Sequence, residues 1–251
     1  MIWDELTYIE LENLNKNIPV VLPIAATEQH GPHLPLATDR LIGEHFAKTL
    51  HQTIPEKVLI LPSVSIGCST HHMKFSGSLT LSHQTFENQV IETIESVLHH
   101  GFKKIIILNS HGGNQGVGQI IVEKLGHNHQ SCHFVLATWW KIALEELEEI
   151  TESGKGGTGH ACEFETSLLL QIAPHLVRLD KIEKGNNQAT FDWATGDMIH
   201  GSKALYYKSI DKMTPNGIFG NPLLATIEKG KKITNAVNKA LLEITTNMYD
   251  L

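Results

Sequence analysis

Four short apolar runs, Ile18 to Ala25, Val58 to Val64, Ile105 to Leu108 and Phe134 to Ala137, restrict this chain to few architectures. Each is rich in Val, Ile or Leu, shows no polar alternation and is bounded by turn residues, as expected of strands buried on both faces. The stretches between them carry apolar residues at helical spacing. These are Asp39 to His51 (Leu41, Ile42, Phe46, Ala47, Leu50), Thr85 to His100 (Phe86, Val90, Ile94, Val97, Leu98) and Gln115 to His127 (Val117, Ile120, Ile121, Leu125). Thr38 is available to cap the first helix and Gly101 to stop the second. Such alternation builds right-handed βαβ units, so the expected fold is α/β, with a mostly parallel central sheet covered by helices on both sides.

The second half is less regular. Lys141 to Glu152 reads as an acidic amphipathic helix, and Ser153 to Gly159 is a glycine-rich loop. His160 to Leu170 is apolar nearly all round and reads as one buried helix. Residues 181 to 220 show no clear period. Asn221-Pro222 opens a last helix to about Asn247, interrupted or bent near Gly230. No repeat, linker or low-complexity tract divides the chain, so residues 1–251 are expected to form one domain.

Composition removes several function classes. A formal charge of −7 over 251 residues offers no basic surface, so nucleic acid is not an expected partner. No apolar run is long enough to span a bilayer, and Met1-Ile2-Trp3-Asp4-Glu5 lacks the character of an export signal; the expectation is a soluble, cytoplasmic protein without a membrane partner. Cys68, Cys132 and Cys162 are scattered and contain no Cys-x-x-Cys pair, which argues for reduced thiols. Gly112-Gly113 forms no phosphate-binding glycine motif, and no G-x-S-x-G elbow is present. The 16 histidines, several in polar loops, point instead toward metal binding or proton transfer.

Three clusters carry the candidate chemistry. Glu28 and His30 follow the first apolar run, where parallel-sheet enzymes place their active sites, and in extended backbone their spacing directs both side chains the same way. Asp39 arrives where the next helix should begin. His111, in Asn109-Ser110-His111-Gly112-Gly113-Asn114, follows the third run and should emerge on the same rim. In His160-Ala161-Cys162-Glu163-Phe164-Glu165, a helix would set Glu163 on the face of His160 and turn Glu165 away, so spacing favours Glu163. Glu28, His30, Asp39, His111 and Glu163 make an all-nitrogen-and-oxygen set suited to Zn, Mn or Fe. A carboxylate such as Asp39 can bridge two metals about 3.5 to 4 Å apart, and a water between them is a nucleophile at neutral pH. His160 is left as the acid or base that delivers a proton to a leaving nitrogen.

These residues resemble the creatininase (creatinine amidohydrolase) family. The resemblance rests on Glu28-Gln29-His30-Gly31-Pro32-His33-Leu34-Pro35 with Asp39, His111-Gly112-Gly113-Asn114, His160-Ala161 with Glu163, and Glu165-Thr166-Ser167. It continues through Gly217-Ile218-Phe219-Gly220-Asn221-Pro222 and Glu228-Lys229-Gly230. It implies a three-layer α/β/α sandwich, a binuclear metal centre, hydrolysis of an unusual amide C–N bond, and homo-oligomers, commonly hexamers. The implied cofactors are two divalent ions, Zn foremost, with Mn or Fe as alternatives. Glu28, Asp39 and His111 would hold one ion, and His30, Asp39 and a further glutamate the other. In creatininase proper that glutamate lies two residues after the histidine of the second motif, a position held here by Gly113. The His-Gly-Gly-Asn subgroup takes it from the third motif, which implies Glu163, with roles in both metal binding and catalysis.

Creatininase proper also carries a tryptophan shortly before the histidine corresponding to His160, where this chain reads Lys155-Gly156-Gly157-Thr158-Gly159. The expected substrate is therefore a small amide other than creatinine, of cyclic or formamide type. The family also includes formamide hydrolases of flavin and deazaflavin biosynthesis and peptide-trimming enzymes. The alternatives are creatinine amidohydrolase proper and a non-catalytic metal- or ligand-binding protein on the same fold.

Overall fold

The computed structural model describes residues 1–187 and 190–251. Its main sheet holds β1 (Val20–Ile24), β2 (Leu59–Ile60), β3 (Lys104–Asn109) and β4 (His133–Thr138), all parallel, in the order β2-β1-β3-β4. A separate antiparallel pair joins β5 (Thr158–His160) to β6 (Phe219–Gly220). The helices are α1 (Tyr8–Asn13), α2 (Thr38–Thr53), α3 (His83–His99), α4 (Gln115–Asn128), α5 (Trp139–Ile142), α6 (Leu144–Ile150), α7 (Glu163–Ile172), α8 (Ile210–Met213) and α9 (Ile227–Asp250). The expected α/β architecture is present, but Asn221-Pro222 leads into a separate 3-10 turn, Pro222–Leu224, and the last helix opens only at Ile227, capped by Thr226.

Strand alternation builds a core on each side of the sheet. Val21, Ile106 and Leu108 pack with Phe46 and Leu50 of α2, Phe164 and Leu168 of α7, and Ile233 and Val237 of α9. Val20, Leu22, Ile24, Ile105 and Ile107 face the other way, onto Phe86, Val90 and Ile94 of α3 and Val117 and Ile121 of α4. Gly230 lets α7 and α9 approach closely, since a Cβ there would stand 2.3 Å from the Ser167 carbonyl oxygen. No interruption occurs at this glycine: α9 runs unbroken from Ile227 to Asp250.

Several local expectations change. Thr38 lies inside α2, and its hydroxyl donates to the Pro35 carbonyl instead of capping the helix. The acidic helix after β4 is two helices interrupted at Ala143. The largest change is at His160, which ends strand β5 instead of opening a helix. Ala161 then turns through φ of 50°, a left-handed conformation rare for a residue with a Cβ. Helix α7 starts only at Glu163, so the helical spacing of His160 and Glu163 does not exist. Of the region from 181 to 220, residues 188 and 189 lie outside the described residues; the described ones are irregular apart from the end of a 3-10 turn at Lys181, α8 and β6, and the Phe191 and Trp193 rings stack at 4.7 Å. Among the described residues no helix is long and apolar enough to cross a membrane.

Candidate metal centre

Because β1, β2 and β3 are parallel, the segments leaving them arrive on one rim. Glu28, His30 and Asp39 follow β1, His71 and His72 follow β2, and His111 follows β3. His160 comes from β5 and Glu165 from the first turn of α7. Glu28 Oε1 lies 3.3 Å from His111 Nδ1, 3.3 Å from His72 Nε2 and 3.7 Å from His160 Nδ1. Asp39 spans two histidines, with Oδ1 at 3.1 Å from His30 Nε2 and Oδ2 at 3.1 Å from His111 Nδ1. Glu165 Oε1 is 3.7 Å from His30 Nε2. Glu28, His30, Asp39, His111 and Glu165 are all buried.

Thus four of the five sequence-derived ligand candidates, Glu28, His30, Asp39 and His111, come together, and the fifth does not. Glu163 faces away from the cluster. Its carboxylate accepts from the backbone N–H groups of Glu152 and Ser153, from the hydroxyls of Thr151 and Ser153, and from Lys229 Nζ. Glu165, which helical spacing turned away, takes the inward position because His160 is not on that helix. His71 and His72 were missed: histidines in an aperiodic loop look solvated in a sequence. The available signal was their place shortly after the second strand, on the rim already holding Glu28 and His111.

The electrostatics favour a cation. Two buried carboxylate oxygens, Glu28 Oε2 and Glu165 Oε2, have no hydrogen-bond donor in the protein, and Asp39 Oδ2 faces only the His111 ring nitrogen. An unpartnered buried anion is costly, so such a cluster gathers positive charge. Burial lowers the proton affinities of His30 and His111, but the carboxylates outweigh it and raise both pKa values well above the ordinary range: Asp39 and Glu165 act on His30, Glu28 and Asp39 on His111. For Asp39 the balance is reversed; burial raises its pKa and the facing His30 and His111 hold it well below the carboxylate range. Divalent metals exchange for such protons. His160 differs, since burial and the His30 imidazole push its pKa down to about 3.

Backbone carbonyls orient the rings. His30 Nδ1 is 3.1 Å from the Glu28 carbonyl oxygen, His111 Nε2 is 3.2 Å from that of Cys68, and His160 Nε2 is 2.7 Å from that of Gln29. A carbonyl only accepts, so each of these nitrogens donates. The opposite nitrogens, His30 Nε2, His111 Nδ1 and His160 Nδ1, face the carboxylates, which is the arrangement around metal-ligating histidines. Four groups of potential ligands, each with its atoms within 4.8 Å of one another, arise from these residues: Glu28, His30 and Asp39; Glu28, His71 and His111; His30, His160 and Glu165; and Glu28, His72 and His160. The donor set therefore fits divalent ions. A cleft of about 340 Å³ opens alongside, lined by Gln29, Gly31, Pro32, Leu36, Phe75, Ser76, Glu183 and Asn216.

Gly113 makes the absence of a ligand at its position a matter of space. A Cβ there would sit 2.1 Å from the Cys68 carbonyl oxygen and 2.5 Å from His111 Nε2. Gly113→Ala is expected to destabilise the fold by about 1 to 3 kcal/mol, as overpacking does, and to displace His111. Denaturant melts together with titration of bound metal would detect both effects.

The family model described as creatinine amidohydrolase matches residues 4–245. The mycofactocin precursor peptide peptidase of Mycobacterium tuberculosis is 29% identical over 226 residues, covering 87% of this chain and 80% of that protein. The 3-dehydro-scyllo-inosose hydrolase of Thermotoga maritima is 24% identical over 252 residues, covering 95% of this chain and 80% of that protein. The creatinine amidohydrolase of Pseudomonas putida is 25% identical over 177 residues, covering 65% of this chain and 67% of that protein. Among solved structures, one described as creatininase Mn superposes with a TM-score of 0.81 at 21% identity, covering 99% of this chain and 98% of that one. Another, creatinine amidohydrolase (creatininase), gives a TM-score of 0.83 at 20% identity over 99% and 97% of the two chains.

Proposed function

Because the chain belongs to the creatininase family of amidohydrolases, we propose that it is a metal-dependent enzyme that hydrolyses the C–N bond of a small amide other than creatinine. The observation that carries this reading is a group of buried carboxylates, Glu28, Asp39 and Glu165, set against the nitrogens of His30 and His111 whose opposite ring atoms are anchored to backbone carbonyls, with Glu28 Oε2 and Glu165 Oε2 left without a protein donor. Glu28, Asp39 and His111 would hold one divalent ion, and His30, Asp39 and Glu165 the other. Bound there, such ions lower the pKa of water and polarise an amide carbonyl.

The protein's own groups supply the rest. His160 Nε2 is tied to the Gln29 carbonyl, which leaves Nδ1 as its proton-accepting atom, 3.7 Å from Glu28 Oε1 and beside the His30 ring. Nδ1 is thus the atom that would take a proton and pass it to the departing nitrogen. The cleft beside Gln29 would admit the substrate. Its wall includes Glu183 and Asn216, from the irregular region, whose side chains hydrogen-bond at 2.9 Å.

A peptide amide is the second reading, favoured by the peptidase activity named for the M. tuberculosis relative. The test is to strip the purified protein with a chelator, reload it with Zn or Mn, and offer formamides, cyclic amides, creatinine and short peptides. Hydrolysis should vanish on stripping, return on reloading and be weakest for creatinine. Undiminished activity in the stripped protein would overturn the metal dependence, and creatinine turnover at an ordinary enzymatic rate would overturn the substrate assignment. Cleavage of peptides alone would favour the second reading.

A further inference from the structure

His72 differs from the other buried histidines of the site in the partner of its outer nitrogen. His72 Nδ1 is 2.9 Å from Gln29 Nε2, an amide nitrogen and not a carbonyl. The orientation of that amide is set by backbone groups whose roles are not ambiguous. Gln29 Oε1 accepts the Gly31 N–H at 2.8 Å, and Gln29 Nε2 donates to the Gly217 carbonyl at 3.2 Å. Turned over, the amide would press a donor against a donor and an oxygen against an oxygen. One of its two amide hydrogens serves Gly217, so the other points to His72. The 3.1 Å approach of Gln29 Nε2 to His160 Nε2 is not a further bond, because His160 Nε2 already donates to the Gln29 carbonyl.

His72 Nδ1 is consequently an acceptor, and the ring proton sits on Nε2, 3.3 Å from Glu28 Oε1. A nitrogen that carries a proton has no lone pair for a metal. We propose that His72 is a positioning residue, a hydrogen-bond donor that holds the Glu28 carboxylate, with its tautomer imposed by Gln29, and that it is not a metal ligand although it stands as close to Glu28 as His111 does. Glu28 is thereby oriented with one oxygen against His72 and His111, leaving Oε2 unpartnered within the protein. The same amide ties Glu28 to Gly217, next to the cleft residue Asn216, so the carboxylate is coupled to the wall of the proposed substrate cleft.

This inference rests on the metal reading above, and its test separates the two. Long-range proton–nitrogen correlation spectra of the ¹⁵N-labelled protein loaded with ¹¹³Cd would assign the state of each imidazole. His72 should show a protonated Nε2, an unprotonated Nδ1 and no coupling to cadmium, while His30 Nε2 and His111 Nδ1 should couple to it. Cadmium coupling at His72 Nε2, or a proton on its Nδ1, would overturn the assignment. Absence of coupling at His30 and His111 would instead count against the metal reading, and the tautomer of His72 would still be read. The His72→Gln variant gives a second measurement. Competition with a chelator should show full metal stoichiometry with affinity about 10- to 100-fold weaker, the effect of losing an outer-shell partner; loss of one equivalent of metal would mark His72 as a ligand.

Discussion

Asp39→Asn is expected to empty the centre of both metals and to lower amide hydrolysis by more than about 100-fold, beyond the effect of losing a supporting contact alone. Asp39 is buried, stands in the first turn of α2, and is the carboxylate that reaches both His30 and His111. The helix N-terminus adds its own preference for an anion there. Asparagine preserves the shape but replaces one oxygen with an amide that faces histidine nitrogens and offers a metal nothing. Elemental analysis and far-ultraviolet circular dichroism distinguish the outcomes. Loss of both metals with an intact fold is the expected one, whereas retention of either ion would reduce Asp39 to a structural helix-start residue.

The same residue, with Glu28 and Glu165, shapes the pH response of the metal-free protein. His30 and His111 have folded pKa values raised above the unfolded value of about 6.5. Their contribution is fully present below that value and is lost as pH rises through the folded pKa. Metal-free wild type should therefore lose stability above about pH 6.5, and Asp39→Asn should flatten that decline by removing the anion both rings face. Asp39 itself acts in the opposite sense. Its depressed pKa contributes stability above about 3.8, and acid removes it.

The second large effect separates two glutamates that stand two residues apart. Glu163→Gln should cost about 3 to 5 kcal/mol, the effect of breaking a buried ion pair from one side, and lower the melting temperature by on the order of 10 °C. The reason is Lys229, a buried ammonium 2.5 Å from Glu163 Oε1, which would keep the Leu224 carbonyl and the exposed Glu152 as its remaining partners. The same carboxylate fastens the segment at Glu152 and Ser153, so the loop toward His160 should loosen as well. Glu165→Gln should do the reverse. Its Oε2 has no protein donor and Oε1 only approaches His30 at 3.7 Å, so stability should hold or rise while metal affinity falls. Thermal melts and metal titrations on both variants check the assignment; loss of metal from Glu163→Gln with Glu165→Gln unaffected would reverse it.

What could be read without the structure follows from local rules. Continuous Val, Ile and Leu runs separated by helical patterns left little choice but a parallel sheet, and a parallel sheet puts the ends of its strands on one rim. Glu28, His30, Asp39 and His111 were legible for that reason, since each follows a readable strand or opens a readable helix. The glutamate of the third cluster was not. Its orientation depends on where α7 begins, and that depends on Ala161 adopting a left-handed conformation between β5 and the helix. Nothing in the identity of an alanine announces such a conformation, which only the surrounding packing enforces.

His71 and His72 lie beyond local reading for a related reason. Their loop has no period, and they become part of the site only when that loop folds against Glu28 and His111. The layers of the fold and most of the side chains gathered at its rim were legible in the sequence by itself, because backbone hydrogen bonding and side-chain periodicity act over a few residues. Tertiary structure alone decided which glutamate faces the centre, which histidines join it and which nitrogen of each ring is free. Those choices depend on burial and on backbone partners brought from distant parts of the chain, such as the Cys68 carbonyl on His111 and the Gly217 carbonyl on Gln29.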